Sequence, residues 1–379
     1  MLSERAKNCS PSPTLAISAR AKALAAQGKN VVDFGAGQPD FDAPEHVKKA
    51  AIDAINQGFN KYTAAAGMPK LKKVICDKFR RDNRIDYQPD QVVVSCGAKH
   101  SIYNIMQAVI GPGDEVLIPK PYWVTYPEQV KLAGGKPVVI ETDENFKLTK
   151  EYVEDKITSN SKLILINSPN NPTGAVYDRE ELKKIAELCL ENNILMVSDE
   201  VYEKIIFDAE HFSIASMGKE FRNITFTVNA ISKTYCVTGW RLGYAAGPAE
   251  IMKAIGNLQS HMTSNPTSVV QKAALEAISG PQDFLVPTVK EFRDRRDFIL
   301  KRMDEIGMEC PKPEGAFYVF PKIPSDNSDK FAEELLESER VGVVPGVGFG
   351  MEGHVRISYA TSLERIKEGM DRIERFLKK

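Results

Sequence analysis

Lys233 is the residue from which chemistry can be read first. It ends Asn229-Ala230-Ile231-Ser232-Lys233, directly after an apolar run, and Thr238-Gly239-Trp240-Arg241-Leu242-Gly243 follows shortly. A lysine at the mouth of a sheet loses proton affinity by desolvation, and its free amine can form a Schiff base with a carbonyl cofactor. Most lysines are solvated surface charges, so the reading needs partners. Arg241 and Ser232 supply a guanidinium fork and a hydroxyl, both suited to a phosphate. Asp199, directly after Ile194–Ser198, is a helix cap or a functional acid. Tyr202, three residues later, is read on the same helical side, where both side chains could face one heteroaromatic ring. Asn171 lies in Pro-Asn-Asn-Pro-Thr-Gly, a turn by composition in which one amide can point inward. Gly97-Ala98-Lys99 follows a strand and opens a helix, where free N–H groups and the helix dipole attract phosphate. Trp123 is core packing or a stacking platform.

These residues need a scaffold that brings them together. Gln91–Ser95, Glu115–Ile118, Leu163–Asn167, Ile194–Ser198 and Ile224–Val228 are short, apolar and bounded by turn residues, as buried parallel strands are. Lys99–Ile110 and Asp178–Asn192 carry helical spacing between them, the second with Leu182, Ile185, Ala186 and Cys189 on one face. The pattern predicts an α/β fold with a mostly parallel, doubly wound sheet. Ligands of such sheets sit beyond the carboxyl ends of the strands, where all the candidate residues just named fall. Past Gly280-Pro281 the alternation gives way to a charge-dense helix, Glu291–Ile306, then strands around 315–320 and 354–359 and a closing helix from Ser362. The expected division is an N-terminal segment, 1–45, joining a smaller α+β domain, 281–379, beside a large domain, 46–280.

Composition removes several function classes. Lys plus Arg number 50 against 51 for Asp plus Glu, so a net charge of -1 gives no field for nucleic acid or an anionic membrane. The strongest basic run, Lys70–Arg84, has Leu71, Val74, Ile75 and Phe79 at helical spacing, which makes its cations a solvated face. Six scattered cysteines without a CxxC pair fit reduced thiols rather than a disulfide framework or zinc site. The five histidines show no metal-binding spacing, so no metal is expected. No apolar run approaches the roughly 18 residues of a membrane span, and the N-terminus has no apolar signal core, so a cytoplasmic protein is expected.

Taken in order, Asn167-Ser168-Pro169-Asn170-Asn171-Pro172-Thr173-Gly174, Ser198-Asp199-Glu200-Val201-Tyr202 and Ser232-Lys233 with Thr238–Gly243 resemble the fold type I pyridoxal-phosphate aminotransferases of class I/II. Within them the likeness is greatest to the bacterial aspartate aminotransferase branch. It runs from about Thr14 to the C-terminus and includes Gly35–Phe41, Lys61-Tyr62-Thr63, Pro121-Tyr122-Trp123 and His354–Ala360. The resemblance implies that Lys233 binds pyridoxal 5'-phosphate and shuttles the proton, while Asp199 keeps the pyridine nitrogen protonated. Asn171 and Tyr202 would hydrogen-bond the ring oxygen, and Trp123 would stack on the ring. Gly97, Ala98, Lys99, Ser232 and Arg241 would surround the phosphate. Arg356 would clamp the substrate α-carboxylate beside Gly37, Trp123 and Asn171. Tyr62 would reach the phosphate of a neighbouring subunit, which implies a homodimer with composite sites. Ala230 departs from the family's Ser or Gly at this position and removes a phosphate hydroxyl.

The expected reaction is amino-group exchange between aspartate or glutamate and a 2-oxo acid such as 2-oxoglutarate. Alternatives on the same scaffold are an aminotransferase of aromatic amino acids, alanine or prephenate, or a lyase or synthase with the same cofactor. A cofactor-binding regulator is disfavoured, because the roughly 40 residues before Pro44 are too few for a DNA-binding domain. A dicarboxylic substrate needs donors for its second carboxylate. Ser12 and Thr14 are the candidates, with a polar tail as the alternative.

Overall fold

A computed structural model describes residues 1–7, 9–11 and 13–379, with the side chains of all but Glu4, Arg5, Pro13 and Leu15. Its twelve strands are β1 (Val32–Asp33), β2 (Val92–Ser95), β3 (Glu115–Pro119), β4 (Lys136–Ile140), β5 (Ser161–Asn167), β6 (Leu195–Asp199), β7 (Thr225–Ala230), β8 (Gly243–Ala246), β9 (Tyr318–Val319), β10 (Val341–Gly342), β11 (Val344–Pro345) and β12 (Val355–Ser358). Seven form one sheet in the order β2-β8-β7-β6-β5-β3-β4, parallel throughout except for β8. The runs Val92–Ser95, Val116–Pro119 and Leu163–Asn167 are buried along their length, as strands covered on both faces must be. Helices cover them: Ile102, Ile105 and Met106 of the helix Ala98–Val109 join one apolar cluster, and Leu182, Ile185 and Cys189 of the helix Arg179–Glu191 join another. This is the expected α/β architecture.

A second layer surrounds β9, β11 and β12, an antiparallel sheet in the order β11-β12-β9, packed on the helices Leu285–Glu305 and Leu363–Leu377. β1 pairs parallel with β10, Val32 opposite Val341, which ties the N-terminal segment to this layer. Ser362 caps the last helix, its hydroxyl accepting from Arg365 N–H at 3.3 Å.

The structure corrects several expectations. β4 and β8 escaped notice, β4 because an edge strand with exposed positions lacks a continuous apolar run, β8 because Gly-Tyr-Ala-Ala is short and small. β7 runs on to Ala230, and Asp199 itself ends β6. The segment after Asp199 is a series of turns, so Tyr202 shares no helical face with it. The basic run is not wholly a solvated face: its helix stops at Lys78, a π-helical turn spans Phe79–Asn83, and Lys78 is buried against Glu203. None of the six cysteines is in a disulfide.

Candidate active site

The carboxyl ends of β5, β6 and β7 open into a cavity of about 300 Å³, within the size range of small-molecule sites. Among the described residues its cations are Lys99, Lys233, Arg241 and Arg356, and its one acid is Asp199. None of the four cations has an ion-pair partner among the described residues, an arrangement that favours anionic ligands.

Lys233 sits in the short helix Ile231–Thr234 at the end of β7, and its Nζ donates to the Gly37 carbonyl at 2.5 Å. Burial, aided by the positive charges of Arg356 and Arg241, pushes its pKa down to about 7. Asp199 is buried, and that burial pushes its carboxyl up to about 6 against the opposing bonds from Tyr126 O–H at 2.7 Å and Val201 N–H at 3.3 Å. The Asp199 carbonyl accepts from Asn167 Nδ2 at 2.9 Å, and Asn167 Oδ1 accepts from Asn171 N–H at 2.8 Å. One amide thus fixes the ends of two adjacent strands and the following turn.

Arg356, on β12, is fully buried. Its Nη1 donates to Asn171 Oδ1 at 3.0 Å and its Nη2 to the Gly35 carbonyl at 2.7 Å, with Tyr318 4.6 Å beneath it, while Nε has no partner. Because Asn171 gives its oxygen to Arg356, its amide nitrogen remains to donate. The Tyr202 hydroxyl is paired with that of Tyr318 at 2.8 Å. Trp123 lines the cavity under the Lys99 ammonium, 4.7 Å from the ring. Burial and Arg241 together hold the Lys99 pKa below its ordinary value.

Gly97, Ala98 and Lys99 open the helix Ala98–Val109, whose leading N–H groups have no intrahelical acceptors. Gly97 has φ +94°, and a Cβ there would come 2.5 Å from Arg241 Nη2. Gly243 on β8 is forced by the same crowding, since its Cβ would lie 2.3 Å from Ala98 N. Arg241 donates to the Thr238 carbonyl at 2.8 Å, and Ser232, Thr238 and Ala230 also line the cavity. Thr14 reaches it too, with a buried hydroxyl that has no partner among the described residues. Ser12 lies outside the described residues. Tyr62 is 90% exposed and stands away from this cavity.

The comparisons with known proteins agree with one another. The sequence model of the family "Aminotransferase class I and II" matches residues 29–373. The chain belongs to this family. It is 49% identical to an aspartate aminotransferase of Bacillus sp. strain YM-2, covering 100% of this chain and 99% of that one. It is 48% identical to a probable aspartate/prephenate aminotransferase of Aquifex aeolicus, over 99% and 98%. Among solved structures, the Thermus thermophilus aspartate aminotransferase with maleate superposes with a TM-score of 0.96 at 42% identity, covering 99% of each chain. The family generally uses pyridoxal phosphate.

In this aminotransferase the cavity gathers every sequence-predicted site residue except Tyr62, Gly97 and Ser12; Gly97 adjoins it through Arg241, and Ser12 lies outside the described residues. Sequence reasoning missed Tyr126, Tyr318 and Asn167. Tyr126 stands next to the noticed Pro121-Tyr122-Trp123, and Tyr318 in a run read only as a strand. An aromatic in an apolar run carries no sign that its hydroxyl will meet a carboxylate or a phenol.

Proposed function

We propose that the chain catalyses transamination between L-aspartate or L-glutamate and the matching 2-oxo acids, with pyridoxal phosphate at Lys233. The observation that carries this reading is the charge balance of the cavity. Three anionic groups, the cofactor phosphate and the two carboxylates of the substrate, need three cations beside the reactive lysine, and Arg241, Arg356 and Lys99 are there.

The residues fit the cofactor. The helix N-terminus at Gly97–Lys99, the Ser232 hydroxyl and the Arg241 fork form an anion cradle that a Cβ at Gly97 would fill. Asp199 is the one carboxylate placed to hold a proton at a ring nitrogen, and Trp123 offers an aromatic face. When bound, pyridoxal phosphate supplies an electron sink for charge developing at the substrate Cα. The Lys233 amine, free near neutral pH, takes the proton from Cα and returns it on the other side of the exchange. Tyr202 and the Asn171 amide would donate to the ring oxygen. Arg356, held in place by Asn171 and Gly35, would meet the α-carboxylate through the in-plane N–H groups those bonds leave free, Nε among them. Lys99, with the Thr14 hydroxyl, meets the side-chain carboxylate, while its backbone N–H serves the phosphate.

The names of the relatives and the maleate, a four-carbon dicarboxylate, of the Thermus structure support the aspartate reading. In the same reading the exposed Tyr62 would enter the site of a second copy in a homodimer, and the protein would be cytoplasmic; among the described residues no helix is long and apolar enough to cross a membrane. The division into 1–45 with 281–379, and 46–280, belongs to the same reading. The test is kcat/KM for aspartate, glutamate, alanine, phenylalanine and prephenate's amino product in parallel. The dicarboxylic amino acids should lead, and preference for a monocarboxylic or aromatic substrate would defeat the aspartate reading.

A further inference from the structure

Behind the turn that carries Asp199 and Tyr202 lies a buried polar cluster with no part in the scheme above. Asp199 and Tyr202 line the cavity, whereas Glu200 and Glu203 turn away from it toward the π-helical turn Phe79–Asn83. Glu200 is wholly buried. Its Oε1 accepts from Ser198 Oγ at 2.8 Å, and its Oε2 from Ser213 Oγ at 2.6 Å and Asn83 Nδ2 at 3.3 Å, with His211 Nε2 at 3.0 Å. Three donors thus aim at this carboxylate, with the imidazole as a fourth polar neighbour. Lys78, the ammonium in this cluster, is committed to Glu203 and to Asn83 Oδ1 at 2.7 Å. Glu200, Glu203 and His211 offer ligand atoms within 4.8 Å of one another; Lys78 and Asn83 already satisfy Glu203, while His211 Nδ1 has no hydrogen-bond partner among the described residues.

We propose that Glu200 is a positioning residue for transamination, whose fixed negative charge behind Asp199 strengthens the hold of Asp199 on the proton at the cofactor's ring nitrogen. The proposal rests on the cofactor reading above. A like charge one residue away, in a water-poor interior, raises the proton affinity of its neighbour. The titratable groups facing Glu200 are Asp199, Glu203, His211, Lys78 and Tyr87, and of these His211 is the one cation-forming group bonded to it. The same network holds the turn from behind, which fixes where Asp199 and Tyr202 enter the cavity.

The test uses holoenzyme loaded with pyridoxal phosphate carrying nitrogen-15 in its ring, with the nitrogen resonance as readout beside steady-state kinetics. Glu200→Gln keeps the shape and removes the charge; the resonance should move toward the unprotonated position, and kcat should fall about tenfold with KM for aspartate within about twofold, as for roughly one pKa unit. His211→Arg, at a partly exposed site, puts a permanent cation beside Glu200 and should move the resonance the same way even where Glu200→Gln fails to fold. Ser213→Ala removes a bond and keeps the charge, so its resonance should match the parent. A parent-like resonance in folded Glu200→Gln or in His211→Arg, or an equal shift in Ser213→Ala, overturns the proposal. Asp199→Asn separates the two claims: if it alone shifts the resonance, only the role of Glu200 is lost, and if it does not, the cofactor reading itself falls.

Discussion

Replacing Arg356 with methionine should abolish turnover and leave the fold intact. The guanidinium is fully buried, its two hydrogen bonds go to neutral oxygens of Asn171 and Gly35, and its Nε is unpartnered, so the protein supplies no counter-charge in contact with it. On the proposed function, a substrate carboxylate would complete that arrangement. Losing one member of a desolvated, bidentate pair costs about 3–5 kcal/mol. At 1.4 kcal/mol per decade, kcat/KM for aspartate should fall by about two to four orders of magnitude. Stability behaves differently. Removing a buried, uncompensated charge in favour of an apolar chain of similar length gains roughly 1–4 kcal/mol, while the Asn171 and Gly35 oxygens left without a donor cost about 1–3 kcal/mol each. The two ranges overlap, so Tm should stay within a few degrees of the parent. Arg356→Lys should fall between the two in activity, because an ammonium cannot match both carboxylate oxygens. Steady-state kinetics with aspartate and a thermal melt of each variant make the check. Arg356→Met with kcat/KM within tenfold of the parent would refute the reasoning, as would a collapse in Tm accompanying the lost activity.

Lys99→Met should lower kcat/KM for aspartate by at least about tenfold more than for alanine, because a desolvated carboxylate without a donor costs more than a lost apolar contact; equal losses for the two substrates would remove Lys99 from the side-chain site. Tyr126→Phe deletes the 2.7 Å bond that orients Asp199, a bond to a charged group worth about 1.5–3 kcal/mol, so kcat should drop about tenfold or more as the carboxylate loses its aim; unchanged kcat would show that bond to be dispensable. For cofactor-free protein the linkage signs differ between the two key groups. Lys233, depressed to about 7, binds fewer protons folded than unfolded, so its share of stability is present above its ordinary value of 10.5 and is lost as pH falls through 7. Asp199, raised to about 6, contributes stability below 3.8 that is lost as pH rises through 6. Melts of Lys233→Met and Asp199→Asn against parent should show these opposite slopes, and parallel curves would contradict the burial of both charges.

The residues proposed to do chemistry were legible because they follow buried strands, where a Lys, Asp or Asn breaks an apolar run. Lys233, Asp199 and Asn171 each sit one turn or less beyond such a run, and the sheet's parallel order brings them together without further specification. Arg356 was legible only through family likeness, since on β12 it looks like one charge in an ordinary strand. Hidden partners were of another kind. Tyr126 and Tyr318 act through single hydroxyls whose aim is set by packing at long sequence separation. Lys78 belongs to a helix whose spacing makes it solvated, and the π-helical turn after it, which rotates Asn83 inward, has no signature in the residue pattern. β4 and β8 failed for want of apolar length, and the turn after Asp199 because short acidic-aromatic stretches fit a helix start equally well.

The most direct test of the central claim is a single half-reaction on cofactor-loaded protein. Holoenzyme is mixed with L-aspartate without any 2-oxo acid, the oxaloacetate released is counted per site, and a second sample is reduced with borohydride and mapped by mass spectrometry. Close to one oxaloacetate per site, recovery of the original spectrum on adding 2-oxoglutarate, and a pyridoxyl label on Lys233 are the predicted results. A label on a different lysine, or release of no oxo acid from aspartate while alanine reacts, would contradict it.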